Sequence, residues 1–326
     1  MKRKLTFKRI HYEIIDYLNK HPFTSLSTMA KDLNYDRTTI SKRVKELRER
    51  NVLSTYSTYI QSECLGFPIC AYIYVKNMVD NHNLLDFLSS FNGTIMIEQL
   101  NEKDLIVAGY FTDCEQAYDY FSVCQKYGDA HMQIKLHTIE AAHPIYPPYL
   151  FKETEGIIHD PVAWRKELPI PNNNLKKLSK EELRFFKLIS AYNLPYNLKT
   201  FCEEKNFELE FAEITIKKLI MQNIIYGFDL QINAKELGLA HCEHICIPHP
   251  TSQTFNAITE NPNLELANLM SDGSVLLIIY GRDKEDVEKQ LLEFAPLEEI
   301  QRYHVQNWVM KPHNVLPQWV VDIKVD

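Results

Sequence analysis

Residues 24–67 can be laid over the stretch 172 positions later without a gap. Leu26 then meets Leu198, Thr28 meets Thr200, Asn34 meets Asn206 and Lys45 meets Lys217. Leu47 meets Leu219, Asn51 meets Asn223, Ile60 meets Ile232, and Leu65-Gly66 meets Leu237-Gly238. Met29 pairs in kind with Phe201, Tyr35 with Phe207, and Val52-Leu53 with Ile224-Ile225. A register that keeps identities and apolar pattern together marks an internal duplication, so the chain must fold as two similar halves. At 326 residues it is long enough for several domains. Residues 141–178 hold six of the 15 prolines and the run Asn172-Asn173-Asn174, the composition of an extended linker.

In the first half Ile10, Ile14 and Leu18 recur at helical spacing, and His21-Pro22 ends that helix. Ser25 is an N-cap for a short helix with Leu26, Met29, Ala30 and Leu33 facing inward. Asn34 tolerates the left-handed turn that follows, and Asp36 caps a third helix with core face Ile40, Val44 and Leu47. Beyond Asn51 the Thr/Tyr/Ser run to Ile60 suits a short β hairpin, or wing. Three helices and a hairpin in this order make a winged helix-turn-helix.

Charge gives the third helix its meaning. The whole chain is at −7, yet residues 1–60 carry 13 Lys and Arg against six Asp and Glu. That basic head, on a remainder at −14, points to a polyanionic partner. With Ile40, Val44 and Leu47 inward, Thr38, Ser41, Lys42 and Lys45 point outward, with Arg37 and Thr39 at the start and Arg48 flanking. Hydroxyl and basic side chains on such a helix suit base edges and phosphates in a major groove. The second half loses this surface: Arg37 becomes Leu209, Lys42 becomes Ile214 and Arg48 becomes Ile220, while Thr38 and Ser41 become Glu210 and Glu213. Its outward face suits burial against protein.

After each helical unit comes a predicted βαββαβ module. Strands are expected at Ile69–Lys76, Thr94–Leu100, Asp104–Tyr110 and His131–Ile139, with helices around Asn83–Phe91 and Glu115–Tyr127. In the second half the strands are Cys242–Ile247, Leu264–Met270, Val275–Tyr280 and Gln301–Val309, with helices over Ser252–Glu260 and Lys284–Phe294. The fold class is therefore α+β: two repeats, each a winged helix-turn-helix followed by a ferredoxin-like module. The expected boundaries are 1–62 and 179–238 for the helical units, 63–142 and 239–312 for the modules, 143–178 for the linker and 313–326 for a tail. Helices cover one sheet face only, and Ile73, Val75, Ile245 and Ile247 are read as the other face, which the two modules could cover for each other.

The stretch Ser25 to Leu47, then Asn51-Val52-Leu53 and Leu65-Gly66, resembles the signature of the leucine-responsive regulator (Lrp/AsnC) family. The resemblance implies a DNA-binding transcription regulator that dimerises through its βαββαβ module and senses small molecules, often amino acids, between modules. By resemblance, Arg37, Thr38, Ser41, Lys42 and Lys45 are recognition-helix contacts. The partners expected are double-stranded DNA, a second copy of the chain and an unnamed effector, with no cofactor and no enzymatic activity. Two features depart from the family: it usually carries one such unit, and its Gly/Asp turn is here Asn101-Glu102-Lys103-Asp104.

The alternative reading is an enzyme. The same fold occurs in siroheme decarboxylases, some of them fused pairs of this length. Their Arg-Arg-Phe-Gly after the third helix is replaced here by Ser54-Thr55-Tyr56-Ser57 and by Tyr226-Gly227-Phe228-Asp229, which ranks the enzyme second. The run His241-Cys242-Glu243-His244-Ile245-Cys246 offers zinc-type donors, but ligands two apart on one strand diverge, so a buried strand is the preferred account and no metal is assigned. No apolar run approaches the roughly 20 residues of a membrane span. The basic start lacks an apolar signal core, and seven cysteines form no even framework, so a reduced cytoplasmic protein is expected.

Overall fold

A computed structural model describes residues 7–60, 62–141, 177–190, 194, 197–222, 224–261, 264–294, 296 and 299–310. The proline-rich body of the expected linker and the expected tail lie outside the described residues. The first half runs α1 (Arg9–Lys20), α2 (Leu26–Asp32), α3 (Arg37–Glu49), β1 (Leu53–Ile60), β2 (Ile69–Lys76), α4 (Asn81–Ser90), β3 (Thr94–Gln99), β4 (Leu105–Phe111), α5 (Cys114–Cys124) and β5 (Asp129–Ala141). The second half runs α6 (Lys180–Ile189), α7 (Leu198–Lys205), α8 (Leu209–Met221), β6 (Ile225–Ile232), β7 (His241–Ile247), α9 (Ser252–Glu260), β8 (Leu264–Met270), β9 (Val275–Gly281), α10 (Lys284–Leu291), β10 (Gln301–His304) and β11 (Asn307–Met310).

Local sequence sets the helix ends. Ser25 accepts from the Thr28 N–H and Asp36 from that of Thr39, each satisfying a donor that the first helical turn cannot. Asn34 and Asn206 sit at φ 57° and 58°, the left-handed region that a short amide side chain tolerates. The two helical units then merge. Tyr12, Ile14, Leu18 and Leu47 from the first share one core with Phe185, Phe186, Ile189 and Leu219 from the second. Each such large side chain contributes about 1.5–3 kcal/mol by burial.

The expected hairpin in each copy does not form. β1 pairs antiparallel with β6 of the other copy, Leu53 opposite Ile232 and Ile60 opposite Ile225. The physical reason is local: the run from Leu53 into the short 3-10 turn Ser62–Leu65 holds no Gly or Asn-Gly to reverse it. A lone strand must find a partner elsewhere, and the duplicated copy supplies one.

The remaining nine strands form one sheet of order β10-β7-β9-β8-β5-β2-β4-β3-β11. Within each half the order is that of a split βαβ module, and two strand pairings, β5 with β8 and β11 with β3, join the halves. β5 pairs with β2 through residues 129–135 and with β8 from Lys135 onward. The offset of 172 carries Asp129 to Gln301. There the expected single strand Gln301–Val309 is split: β10 pairs with β7, and β11, two residues further on, pairs with β3 at the opposite edge. Val305 N–H donates to Cys242 O and Gln306 N–H to Gln99 O, so two residues sew the edges together and the sheet rolls up.

The rolling inverts an expected face. Ile73 and Val75 pack under α4 and α5 with Leu84, Leu88 and Ala117, and Ile245 and Ile247 pack with Ile258, Val287 and Leu291 of α9 and α10. The face turned toward the other module carries Cys70, Tyr72, Tyr74, Met96, Ile106, Met270, Leu276 and Tyr303. Aliphatic residues marked the helix-covered side. The other module covers a mixed aromatic and polar side.

Candidate active site in the seam between the modules

α3 presents the sequence-predicted residues as expected from its core face. Arg37, Thr38, Ser41, Lys42, Lys45 and Arg48 are exposed. Thr39 is half-buried, its hydroxyl donating to the Asp36 carboxylate. Lys45 lies 3.8 Å from Glu49, an exposed pair that contributes little. None of these seven lines the cavity described below. On α8, Ile214, Ile220 and Met221 remain 58%, 41% and 83% exposed, so within this chain the face expected to be covered is open.

The chemistry-bearing residues lie inside the rolled sheet. Strand register puts His131, Tyr74, Ile106 and Glu98 in one row across β5, β2, β4 and β3. Across β10, β7 and β9 the row is Tyr303, His244 and Ile278. The two rows face each other. The rings of Tyr74 and Tyr303 are 4.7 Å apart, and the Glu98 carboxylate touches Nε2 of His244 with both side chains fully buried. Nearby, Gln133 Nε2 donates to Asp272 Oδ2 at 2.9 Å and Ser274 Oγ at 3.1 Å, and Asn268 donates to the Tyr72 hydroxyl. Polar groups at such a seam are expensive unless partnered. Yet the Tyr74 hydroxyl, Glu98 Oε1, Gln133 Oε1 and His244 Nδ1 have no protein partner among the described residues.

A cavity of about 580 Å³ opens at one end of this seam, lined by Tyr74, Lys76, Gln125, Gly128, Asp129, Ala130, His131, Gln301 and Tyr303. Its size falls within the range of small-molecule sites. Lys76 Nζ lies 5.2 Å from the Tyr303 ring centroid, so a cation and aromatic rings share one wall. Burial pushes both phenols, Tyr74 and Tyr303, above their ordinary pKa. They therefore remain hydrogen-bond donors at neutral pH. The combination of a cation, an imidazole and phenols beside flat apolar faces suits a planar ligand carrying carboxylates.

The opposite face of β7 holds a second cluster. Arg302 grips Glu243 in two bonds of 2.7 and 2.8 Å and reaches Glu288 at 2.8 Å, while His241 Nε2 lies 2.7 Å from Glu243. Burial works to raise the Glu243 carboxyl, but Arg302 and His241 outweigh it and hold it below its ordinary value. Donor atoms of His241, Glu243 and His304 lie within 4.8 Å of one another. The two imidazoles nevertheless stack at 4.1 Å with planes only 9° apart, so their in-plane lone pairs do not converge, and Arg302 occupies both carboxylate oxygens. This is an ion-pair network. His249 lies in the exposed bend after β7.

Sequence reasoning missed Tyr74, Lys76, Glu98, His131 and Tyr303. The available signal was the alternation along β2, with Cys70, Tyr72, Tyr74 and Lys76 on one side and Ala71, Ile73 and Val75 on the other.

No family model and no curated protein matches the chain. Among solved structures, the siroheme decarboxylase NirDL in complex with an iron-uroporphyrin III analogue is similar to it at a TM-score of 0.56 and 8% identity, covering 96% of this chain and 98% of that one. A second structure of NirDL gives the same values. LrpC of B. subtilis is similar at a TM-score of 0.37 and 12% identity, covering 41% of this chain and 96% of that one. At such identities the likeness is one of fold, and the whole-chain likeness is to an enzyme. It corrects the expectation of a non-enzymatic, DNA-binding transcription regulator, because the solved structure that resembles both halves together is that of a siroheme decarboxylase. The basic face of α3 is a surface feature of one half, whereas the seam cavity is built by strands of both halves.

Proposed function

We propose that the chain is a decarboxylase of a carboxylate-bearing tetrapyrrole of the siroheme type, with the seam cavity as its substrate site. The observation that carries this reading is the cavity wall of Lys76, His131, Tyr74 and Tyr303, within an architecture similar end to end to that of a siroheme decarboxylase. A tetrapyrrole is flat, aromatic and multiply anionic. Tyr303, half-buried and backed by the Tyr74 ring, offers an aromatic surface for the macrocycle, and Lys76 and His131 offer charge-assisted hydrogen bonds to its carboxylates. Decarboxylation breaks the bond between a side-chain methylene and its carboxylate, leaves the electron pair on carbon and consumes one proton to form a methyl group. A phenol or imidazole within the same wall can donate that proton.

The finer architecture belongs to the same proposal. Each half is a winged-helix unit followed by a ferredoxin-like module, and the wing position is taken by a strand exchanged between halves. The 172-residue offset, the paired Asn34 and Asn206 turns and the Lrp/AsnC-like signature support this. The module pairing for which a single-unit protein needs two chains is internal here, so one chain suffices for the site. Seven cysteines with no disulfide among the described residues fit a reducing cytoplasm. No helix among the described residues is long and apolar enough to cross a membrane.

The test is direct. Siroheme added to the full chain should change its visible absorption on binding and then lose carboxyl groups as CO2, read by mass spectrometry of the extracted pigment. Lys76→Ala should weaken binding about tenfold, the loss of one charge-assisted contact worth roughly 1.5 kcal/mol. Unchanged spectra at micromolar protein and pigment would overturn the proposal.

A further inference from the structure

α8 turns Ala212, Thr215 and Leu219 into the shared helical core, while Leu209, Ile214, Ile220 and Met221 stay exposed on its outward side. At 100° per residue Leu209 and Ile220 fall along one edge of that side and Ile214 and Met221 along the other, with the exposed Glu213 and Lys217 between them. Single exposed apolar residues are ordinary, but four on one short helix form a patch. The corresponding positions of α3 are Arg37, Lys42, Arg48 and Glu49, so the two helices suit different partners.

The charges decide what fits. A second α8, laid antiparallel across a two-fold axis at the level of Thr215, sets Glu213 opposite Lys217 of the copy, and Lys217 opposite its Glu213. In the same register Leu209 lies opposite Ile220 of the copy along one edge, and Ile214 meets its own counterpart along the other. A parallel pairing would instead set Glu213 against Glu213 and Lys217 against Lys217. The α3 face of a second copy would answer Glu210 and Glu213, but it would bring Arg37, Lys42 and Arg48 against apolar edges, where cations lose water without a partner. The pairing of one module with another is already made within the chain, by β5 with β8 and β11 with β3.

We propose that two copies of the chain associate through α8, antiparallel about a two-fold axis, with Leu209, Ile214 and Ile220 as the apolar contacts and Glu213 with Lys217 setting the direction. Such an isologous contact closes at two chains and does not propagate. It does not depend on the decarboxylase reading, since the seam cavity is built within one chain. α8 has 13 residues, a length of about 20 Å, so one helix pair belongs to the weak class of interfaces, with a Kd on the order of 10 μM.

Sedimentation velocity of the full chain, from about 1 to about 200 μM, should show a reversible equilibrium between one and two chains. Ile214→Lys should weaken association at least about tenfold. Glu213→Lys and Lys217→Glu should each self-associate about tenfold more weakly, and an equimolar mixture of the two should regain the wild-type affinity, because the mixed dimer restores both opposite-charge pairs. A charge effect confined to one helix is not rescued by mixing. Should Ile214→Lys disturb the fold, the mixing experiment carries the test alone. A chain that stays single throughout, association indifferent to Ile214→Lys, charge variants that mixing does not rescue, or growth beyond two chains overturns the proposal.

Discussion

β7 carries two polar clusters back to back, and they differ in what is left over. On its outer face Glu243 accepts twice from Arg302 and once from His241, and Arg302 spends its remaining reach on Glu288. On its inner face His244 meets Glu98, and among the described residues each keeps an atom without a protein partner. The same strand, one residue apart, thus supports a saturated network and an open one. Saturated networks rigidify, whereas a buried group short of a partner carries a desolvation cost. The outer cluster ties β10 to its module, and the inner one ties β7 to β3 of the other module.

The largest expected effect breaks the outer cluster. Arg302→Met leaves Glu243, 3% exposed, with a buried charge and only His241 to balance it. Loss of one partner of such a pair costs about 3–5 kcal/mol, read as a lower denaturant midpoint at unchanged slope. A cost below about 1 kcal/mol would mean that the outer network is ornamental and the contrast between the faces is false.

That contrast was only half legible from sequence. Ser25, Asp36 and Asn34 announced helix ends chemically, and Ile40, Val44 and Leu47 announced the core face of α3, because those signals are local. The exchange of β1 with β6 was hidden, since a lone strand's partner lies 172 residues away and only the missing turn hinted at it. The seam was hidden for a different reason. Alternation along β2 and β7 separates two faces but does not say which one helices cover, and Ile73 and Ile245 were read onto the wrong one. Glu98 and His244 stand 146 residues apart and meet only because β10 and β11 sew the sheet closed. The basic α3 face, by comparison, was conspicuous in the sequence, and that prominence drew the functional reading away from the seam.

A second break tests the inner cluster as a pair. His244→Phe alone strands the Glu98 carboxylate and should cost about 3 kcal/mol. Adding Glu98→Leu should recover most of that loss, since paired polar groups replaced by apolar ones of similar size are near neutral. A double variant as unstable as the sum of the singles would show that the two groups are not coupled.

Acid should separate the faces more gently. A carboxyl held below its ordinary value of 4.5, as Glu243 is, contributes stability that is complete above that value and is lost as pH falls through the lowered one. Wild-type stability should therefore decline below about pH 4.5 more steeply than that of Glu243→Gln, measured by chemical denaturation at stepped pH. Parallel curves would remove Glu243 from the acid response.

The smallest effect belongs to His304, at the exposed end of the outer cluster. Its ring stacks on His241 and lies 3.1 Å from Cys242 O through Nδ1, but neither contact neutralises a buried charge. His304→Ala should cost no more than about 0.5 kcal/mol, the range of surface substitutions. The same variant also tests whether β10 is held by side chains or by its backbone ladder to β7. If Arg302 and the ladder do the holding, His304→Ala leaves amide exchange at Arg302 and Tyr303 as slow as before. Fast exchange there would move His304 into the structural network and narrow the difference between the two faces of β7.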